Sequence, residues 1–168
     1  NLNNLVINKQ WNYAIGGTWR HFFDNSNLFF VTSRNHLDNT ALKYLDYADE
    51  NSQKILDYKS EEIENKTRLE YNFKRNGYSI IIGSNLEDAT YTNNTNQIFT
   101  IGDSIITGIN NVDLHFIKYG AFTQISKTYF ENKLTSSFGL RIDGNSFTKN
   151  ANSNNFSPRL SLAYNLNS

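Results

Sequence analysis

The fold is decided by the stretch Glu62-Ile63-Glu64-Asn65-Lys66-Thr67-Arg68-Leu69-Glu70-Tyr71-Asn72-Phe73-Lys74. Ile63, Asn65, Thr67, Leu69, Tyr71 and Phe73 alternate with Glu62, Glu64, Lys66, Arg68, Glu70, Asn72 and Lys74. Successive side chains of a strand point to opposite sides, so a period of two gives one face rich in apolar groups and one carrying the charges. Such a strand can lie in a soluble sheet with its charges in water, or in a membrane-spanning barrel with its charges inside.

The same rhythm recurs further on. From Lys133 to Asp143, Leu134, Ser136, Phe138, Leu140 and Ile142 share a face. From Phe156, the set Phe156, Pro158, Leu160, Leu162 and Tyr164 opposes Ser157, Arg159, Ser161 and Ala163. Pro158 cannot donate a ladder hydrogen bond, so it is expected near the start of its strand. Weaker alternation covers Trp11–Phe22, Leu28–Asn35, Tyr78–Glu87 and Val112–Ser126. No stretch combines helix caps with a helical apolar stripe. Ala41–Tyr58 comes nearest and is expected to be a loop with a short helical turn.

The connections predict more than the strands do. Asp24-Asn25-Ser26-Asn27, Lys74-Arg75-Asn76-Gly77 and Tyr129-Phe130-Glu131-Asn132 read as tight turns, and Asn-Gly supplies positive φ at little cost. Between them, residues 34–62, 88–111 and 144–155 read as longer polar connections. Loops longer than about 12–15 residues are uncommon in compact domains. Short turns on one side and long loops on the other are what a transmembrane barrel has. Strands of about ten residues, tilted near 45°, would cover about 23 Å, close to the apolar band of a bilayer.

Composition agrees with a polar chain rich in strand formers. Of 168 residues, 38% are hydrophobic and 14% aromatic, with 10 Tyr and 12 Phe, and mean hydropathy is -0.58. Sixteen basic residues balance sixteen acidic ones, so the chain offers no electrostatic footprint for nucleic acid. Cysteine is absent, which removes disulfides, thiolate nucleophiles and cysteine metal sites. No apolar run is long enough for a transmembrane helix. The start at Asn1 and the finish at Ser168 are read as cuts in a longer protein.

Three segments in order carry a resemblance: Tyr119-Gly120-Ala121-Phe122-Thr123-Gln124, then Lys133-Leu134-Thr135-Ser136-Ser137-Phe138-Gly139-Leu140-Arg141-Ile142-Asp143, then Phe156-Ser157-Pro158-Arg159-Leu160-Ser161-Leu162-Ala163-Tyr164. Their succession resembles the barrel of TonB-dependent receptors, with the close likeness running from Tyr119 to Asn167. The resemblance implies a bacterial outer-membrane barrel of roughly 22 strands around a plug domain, of which residues 1–168 would supply about seven antiparallel strands. It implies import of a scarce nutrient (ferric siderophore, cobalamin, glycan or peptide) powered through the plug by the TonB energy-transducing complex. The plug and the remaining strands are not in this sequence. The expected partners are outer-membrane lipid, the plug and the imported ligand.

Under this reading Glu64, Lys66, Arg68, Glu70, Arg141, Asp143 and Arg159 face the lumen, because Arg or Lys on the lipid side near the midplane costs about 2–4 kcal/mol. Trp11, Trp19, Tyr78, Tyr129, Phe130 and Tyr164 are candidates for interfacial aromatic girdles. Tyr44, Asp46, Tyr47, Asp49 and Tyr91 combine ring faces with hydrogen-bonding groups in the expected external loops, and are the candidate ligand contacts.

No enzyme chemistry is indicated. His21, His36 and His115 lack metal-site spacing, Asp46, Asp49 and Glu50 lack the EF-hand pattern, and Gly83-Ser84 lacks a nucleophile elbow. No cofactor, metal or catalytic residue is assigned. Two alternatives stay open: a small eight-stranded outer-membrane barrel acting as anchor or adhesin, with Leu2–Asn8 as an extra strand, and a soluble carbohydrate-binding β-sandwich.

Overall fold

In the computed structural model of the chain, residues 5–45, 53–130, 133–147 and 155–166 are described. They form one all-β antiparallel sheet of seven strands whose spatial order follows the chain. The strands are β1 (Ile7–Phe22), β2 (Ser26–Tyr44), β3 (Lys54–Arg75), β4 (Tyr78–Ile101), β5 (Ser104–Tyr129), β6 (Leu134–Asn145) and β7 (Asn155–Tyr164). Each described strand is hydrogen-bonded to its neighbour in the chain, and all seven belong to one sheet. No helix among the described residues is long and apolar enough to cross a membrane, which has no bearing on crossing by strands.

The three tight turns form where the sequence predicts them, each by its own chemistry. Phe23 N–H donates to Ser26 O at 2.8 Å to close the first. Asn76 and Gly77, at φ 51° and 78°, join β3 to β4 with both central residues left-handed, the geometry that matches strand twist. Phe130, at φ 55°, turns the chain after β5, and its carbonyl accepts from Lys133 N–H at 3.0 Å.

The long connections differ from expectation. The stretch 88–111 is not a loop: β4 continues to Ile101 and β5 starts at Ser104, with only Gly102 (φ 61°) and Asp103 between them. Likewise β2 reaches Tyr44 and β3 begins at Lys54, so most of the expected 34–62 loop is strand, as are both ends of the Ala41–Tyr58 stretch, whose middle lies outside the described residues. A ribbon in water satisfies its backbone by cross-strand pairing, whatever the polarity of its side chains, so a Thr- and Asn-rich segment extends the sheet instead of looping out. β6 also runs on to Asn145, which shortens the third connection. Pro158 is the fourth residue of β7, further in than expected, on an edge strand where a missing donor is tolerated.

Two compact units divide the chain: Asn1–Ile15, Arg34–Glu64 and Ala89–His115 make the first, and Gly16–Ser33, Asn65–Asp88 and Phe116–Ser168 the second. In the second, registers are explicit. Leu134 pairs with Tyr164, Ser136 with Leu162, Phe138 with Leu160, Leu140 with Pro158 and Ile142 with Phe156. The alternate row pairs Phe122 with Arg141, Gly120 with Asp143, and Gly139 with Arg159. The two faces read from sequence are therefore the two faces of the folded sheet here.

Neither unit has a conventional core. Among the described residues Ala89 is the one buried hydrophobic side chain, accompanied by buried Ser60 and Asn93, and no large side chain is fully buried.

Candidate functional site

The charged face of the second unit is built from β3, β4, β5 and β6. On β3, Arg68 Nη2 donates to Glu70 Oε2 at 2.7 Å, and Asn72 Nδ2 donates to Glu70 Oε1 at 3.0 Å, a ladder of residues two apart on one strand face. On β4, Glu87 accepts from Lys118 Nζ of β5 at 2.7 Å and lies 3.9 Å from Lys66 Nζ of β3. On β6, Arg141 holds Asp143 with a fork, Nε to Oδ2 at 2.6 Å and Nη2 to Oδ1 at 2.7 Å, and Nη2 also reaches Asn85 Oδ1 at 3.3 Å. The planar guanidinium matches a carboxylate with two bonds at once, so this pair is rigid as well as charged.

Two glycines give these side chains room. A Cβ on Gly120 would collide with the Asp143 carboxylate and come within 2.8 Å of Asn85 Oδ1. One on Gly83 would run into the Phe122 ring and sit 2.9 Å from Leu69 O. The tip of the Phe122 ring therefore occupies the space above Gly83, with the Arg68 guanidinium 4.8 Å from its ring centroid. Around them a shallow concavity of about 330 Å³ is lined by Arg68, Glu70, Phe122, Gln124, Arg141 and Arg159, among others.

The opposite face is apolar and open. Ile82 and Leu86 of β4 are 50% and 51% exposed; on the charged face the Arg68 and Lys118 side chains are about half exposed and cover their carboxylate partners Glu70 and Glu87. Phe138, Ile142, Phe156, Leu160 and Leu162 continue the exposed apolar surface across β6 and β7. A soluble sheet packs its apolar side and wets its charges; in this unit both sides are open, and the apolar one is left uncovered. On the same open face, near the tight turns, aromatic rings cluster. Trp19 stacks on His21, His21 meets Phe23 edge to face, the Tyr71 ring lies 5.5 Å from that of Phe73, and the Tyr129 ring 6.4 Å from that of Phe130. Tyr78 and Tyr164 complete the row of rings at this end.

Within the first unit, Trp11, Tyr13 and His36 form a ring cluster with centroids 5.3–5.4 Å apart. His36 Nε2 is 2.9 Å from Glu61 Oε1, and Arg34 Nε donates to Tyr13 Oη at 3.0 Å. Trp11 thus belongs to this cluster and not to the aromatic row near the turns. Sequence reading missed it because its members come from three strands, and only the strand register brings them together.

Of the expected ligand contacts, Asp46, Tyr47 and Asp49 lie outside the described residues. Tyr44 ends β2. Tyr91 is not in a loop: it lies within β4, where its hydroxyl accepts from Asn93 Nδ2 at 3.2 Å and Asn93 Oδ1 accepts from Thr95 at 2.7 Å. No hydrogen bond or ring contact among the described residues joins Tyr44 to Tyr91. The seven expected lumen residues fare differently. Lys66, Arg68, Glu70, Arg141 and Asp143 are gathered on the charged face, Arg159 joins them across from Gly139, and Glu64 lies in β3 at the same parity as Lys66. Among the described residues no cluster of three His, Asp or Glu is arranged to hold a metal ion. The chain matches no protein-family model and no curated protein.

Proposed function

We propose that this chain is part of the wall of an outer-membrane β-barrel, with the open apolar face against lipid and the charged face toward the lumen. One observation carries the reading: on the second unit a broad row of aliphatic and aromatic side chains lies uncovered, opposite a face of paired charges. Outside a membrane, this much uncovered apolar surface is a liability, since the largest apolar patch on a typical soluble monomer is about 300–600 Å². The dimensions agree. From Tyr78 to Leu86 the apolar row of β4 spans eight steps of about 3.4 Å, or roughly 19–22 Å of depth at a barrel tilt of 35–45°. Past Leu86, β4 continues with Asp88 at the next position of that row, so the polar remainder of the strand suits an aqueous side.

The finer reading is that the barrel is the translocation wall of a transporter of the TonB-dependent kind. It rests on the resemblance over Tyr119–Asn167 and on the hydrogen-bonded charged ladder, whose fixed pairs give a plug domain a polar surface to pack against. Further strands would pair with the free edges of β1 and β7, since an unpaired edge exposes its backbone groups. The substrate would be a nutrient taken up across the outer membrane.

The first test is fractionation of the native source protein. Resistance to alkaline carbonate extraction, together with a gel mobility that changes on boiling, is the expected result. Recovery as a detergent-free soluble protein would refute the membrane reading. If the membrane reading holds, cross-linking between Arg68→Cys or Arg159→Cys and an N-terminal segment of the same polypeptide tests the plug. Labelling of both positions by a bulky aqueous thiol reagent, with no internal cross-link, would refute the transporter reading and leave the barrel.

A further inference from the structure

We infer that Arg75, Tyr78 and Lys127 form a binding site for the phosphate of an anionic phospholipid, at the tight-turn end of the apolar face. The inference rests on the barrel reading, since it needs that face to meet a bilayer. Arg75 and Tyr78 flank the Asn76-Gly77 turn and so close its hairpin as a cross-strand pair. Tyr78 faces Lys127 across β4 and β5, with Lys127 Nζ 4.4 Å from the Tyr78 ring centroid and 5.2 Å from that of Tyr129. The Lys118–Glu87 bond fits the same β4–β5 register. By alternation from Tyr71 and Phe73, Arg75 falls on the open face, and by the pairing of Lys127 with Ser136, between Leu134 and Phe138, so does Lys127. Two cations and a phenol therefore share one row, beside the exposed Ile82, Ile125 and Phe138 of the same face.

Cations placed among hydrocarbon-facing residues need an explanation. On the charged face Arg68, Lys118 and Arg141 each hold a carboxylate, while Arg20, Lys74 and Arg159 stand on a polar face where water can serve them. Among the described residues neither Arg75 nor Lys127 has one. Lys127 lies two positions before the end of β5, and Arg75 is the last residue of β3, so both sit where the apolar band gives way to water. There a cation costs about 0–1 kcal/mol instead of the 2–4 of the midplane, and its long stem can carry the charge to headgroup level. The Tyr78 and Tyr129 rings hold the ammonium of Lys127 in place, and the ring hydroxyls add donors suited to a phosphate oxygen. The ligand with the complementary chemistry is a headgroup phosphate bearing net negative charge, with acyl chains lying along Ile80, Ile82 and Ile125 of the same face.

The test uses the whole protein inserted into vesicles of neutral phosphatidylcholine containing increasing phosphatidylglycerol, followed by native mass spectrometry of co-purified lipid. Each surface cation is worth roughly a fivefold preference for anionic lipid, so the pair should give about thirtyfold, weakening at high salt. Arg75→Gln with Lys127→Gln should abolish the preference, while Lys74→Gln, one charge fewer on the opposite face, should keep it. An unchanged preference in the double variant, or equal loss in Lys74→Gln, overturns the site. If the double variant does not insert, the wild-type preference is read with Arg75→Lys and Lys127→Arg, which keep both charges and should retain it; loss there overturns the site. Insertion into neutral vesicles with no anionic preference overturns the lipid site but keeps the barrel reading. Failure of the wild type to enter any vesicle overturns the barrel reading itself.

Discussion

Ile82 and Leu86 are a matched pair that separates a lipid-facing surface from a wet one. Both are aliphatic, on one face of β4, four residues apart and 50% and 51% exposed. In water, Ile82→Arg and Leu86→Arg should cost nearly the same, within the roughly 1 kcal/mol range of strand propensity. In a bilayer they should not. Taking Tyr78 at the turn-side interface, Ile82 lies four steps in, about 14 Å along the strand and about 10 Å deep at 45° tilt, near the middle of a band about 25 Å tall. Leu86 lies four steps beyond, about 19 Å deep and so about 6 Å short of the far interface, two residues before Asp88. Arginine at position 82 should then cost about 2–4 kcal/mol and at position 86 about 1–2 kcal/mol. The assay is guanidinium unfolding of the vesicle-inserted protein, with Trp11 and Trp19 fluorescence as readout and free energies from linear extrapolation. Costs equal to within about 0.5 kcal/mol, an interval typical of surface substitutions, would refute the depth argument and the lipid assignment of this face.

Three further outcomes follow from the packing. Gly120→Ala should destabilise by about 1–3 kcal/mol, because the new methyl occupies the place of the Asp143 carboxylate; adding Asp143→Ala should recover part of that loss in a double-mutant cycle, and strict additivity would argue against the clash. Gly77→Ala should cost about 1–2 kcal/mol through its φ of 78°, while Gly77→Asn should cost clearly less, both read from the unfolding midpoint. Arg141→Lys should lose the two-pronged grip on Asp143 together with the Asn85 contact, lowering stability by about 1 kcal/mol although the charge is kept; no change would show that the fork contributes nothing beyond charge.

How much of this was legible in the chain differs from element to element. The faces of β3, β6 and β7 were, because period-two alternation is a local property and needs no partner to be read. So were the tight turns, most clearly Asn76-Gly77, whose residue types are those a left-handed pair requires. The 88–111 ribbon was misread as a loop because its polarity resembles that of a connection. The overlooked signal is Gly102-Asp103, a two-residue turn flanked by Ile98, Thr100, Ile105 and Thr107. The charged residues were named, but not their pairing: that Arg141 holds Asp143 beside Asn85 depends on Gly120 leaving space on the neighbouring strand.

What the amino-acid order determined alone is which side chains share a face, since that follows from the geometry of one extended chain. Tertiary structure decided what lies uncovered, where the hairpins end, and that Lys127, distant along the chain, falls in one row with Arg75 and Tyr78. These depend on register between strands. A slip of one residue reverses every side chain, and register is settled by the turns and cross-strand contacts acting together.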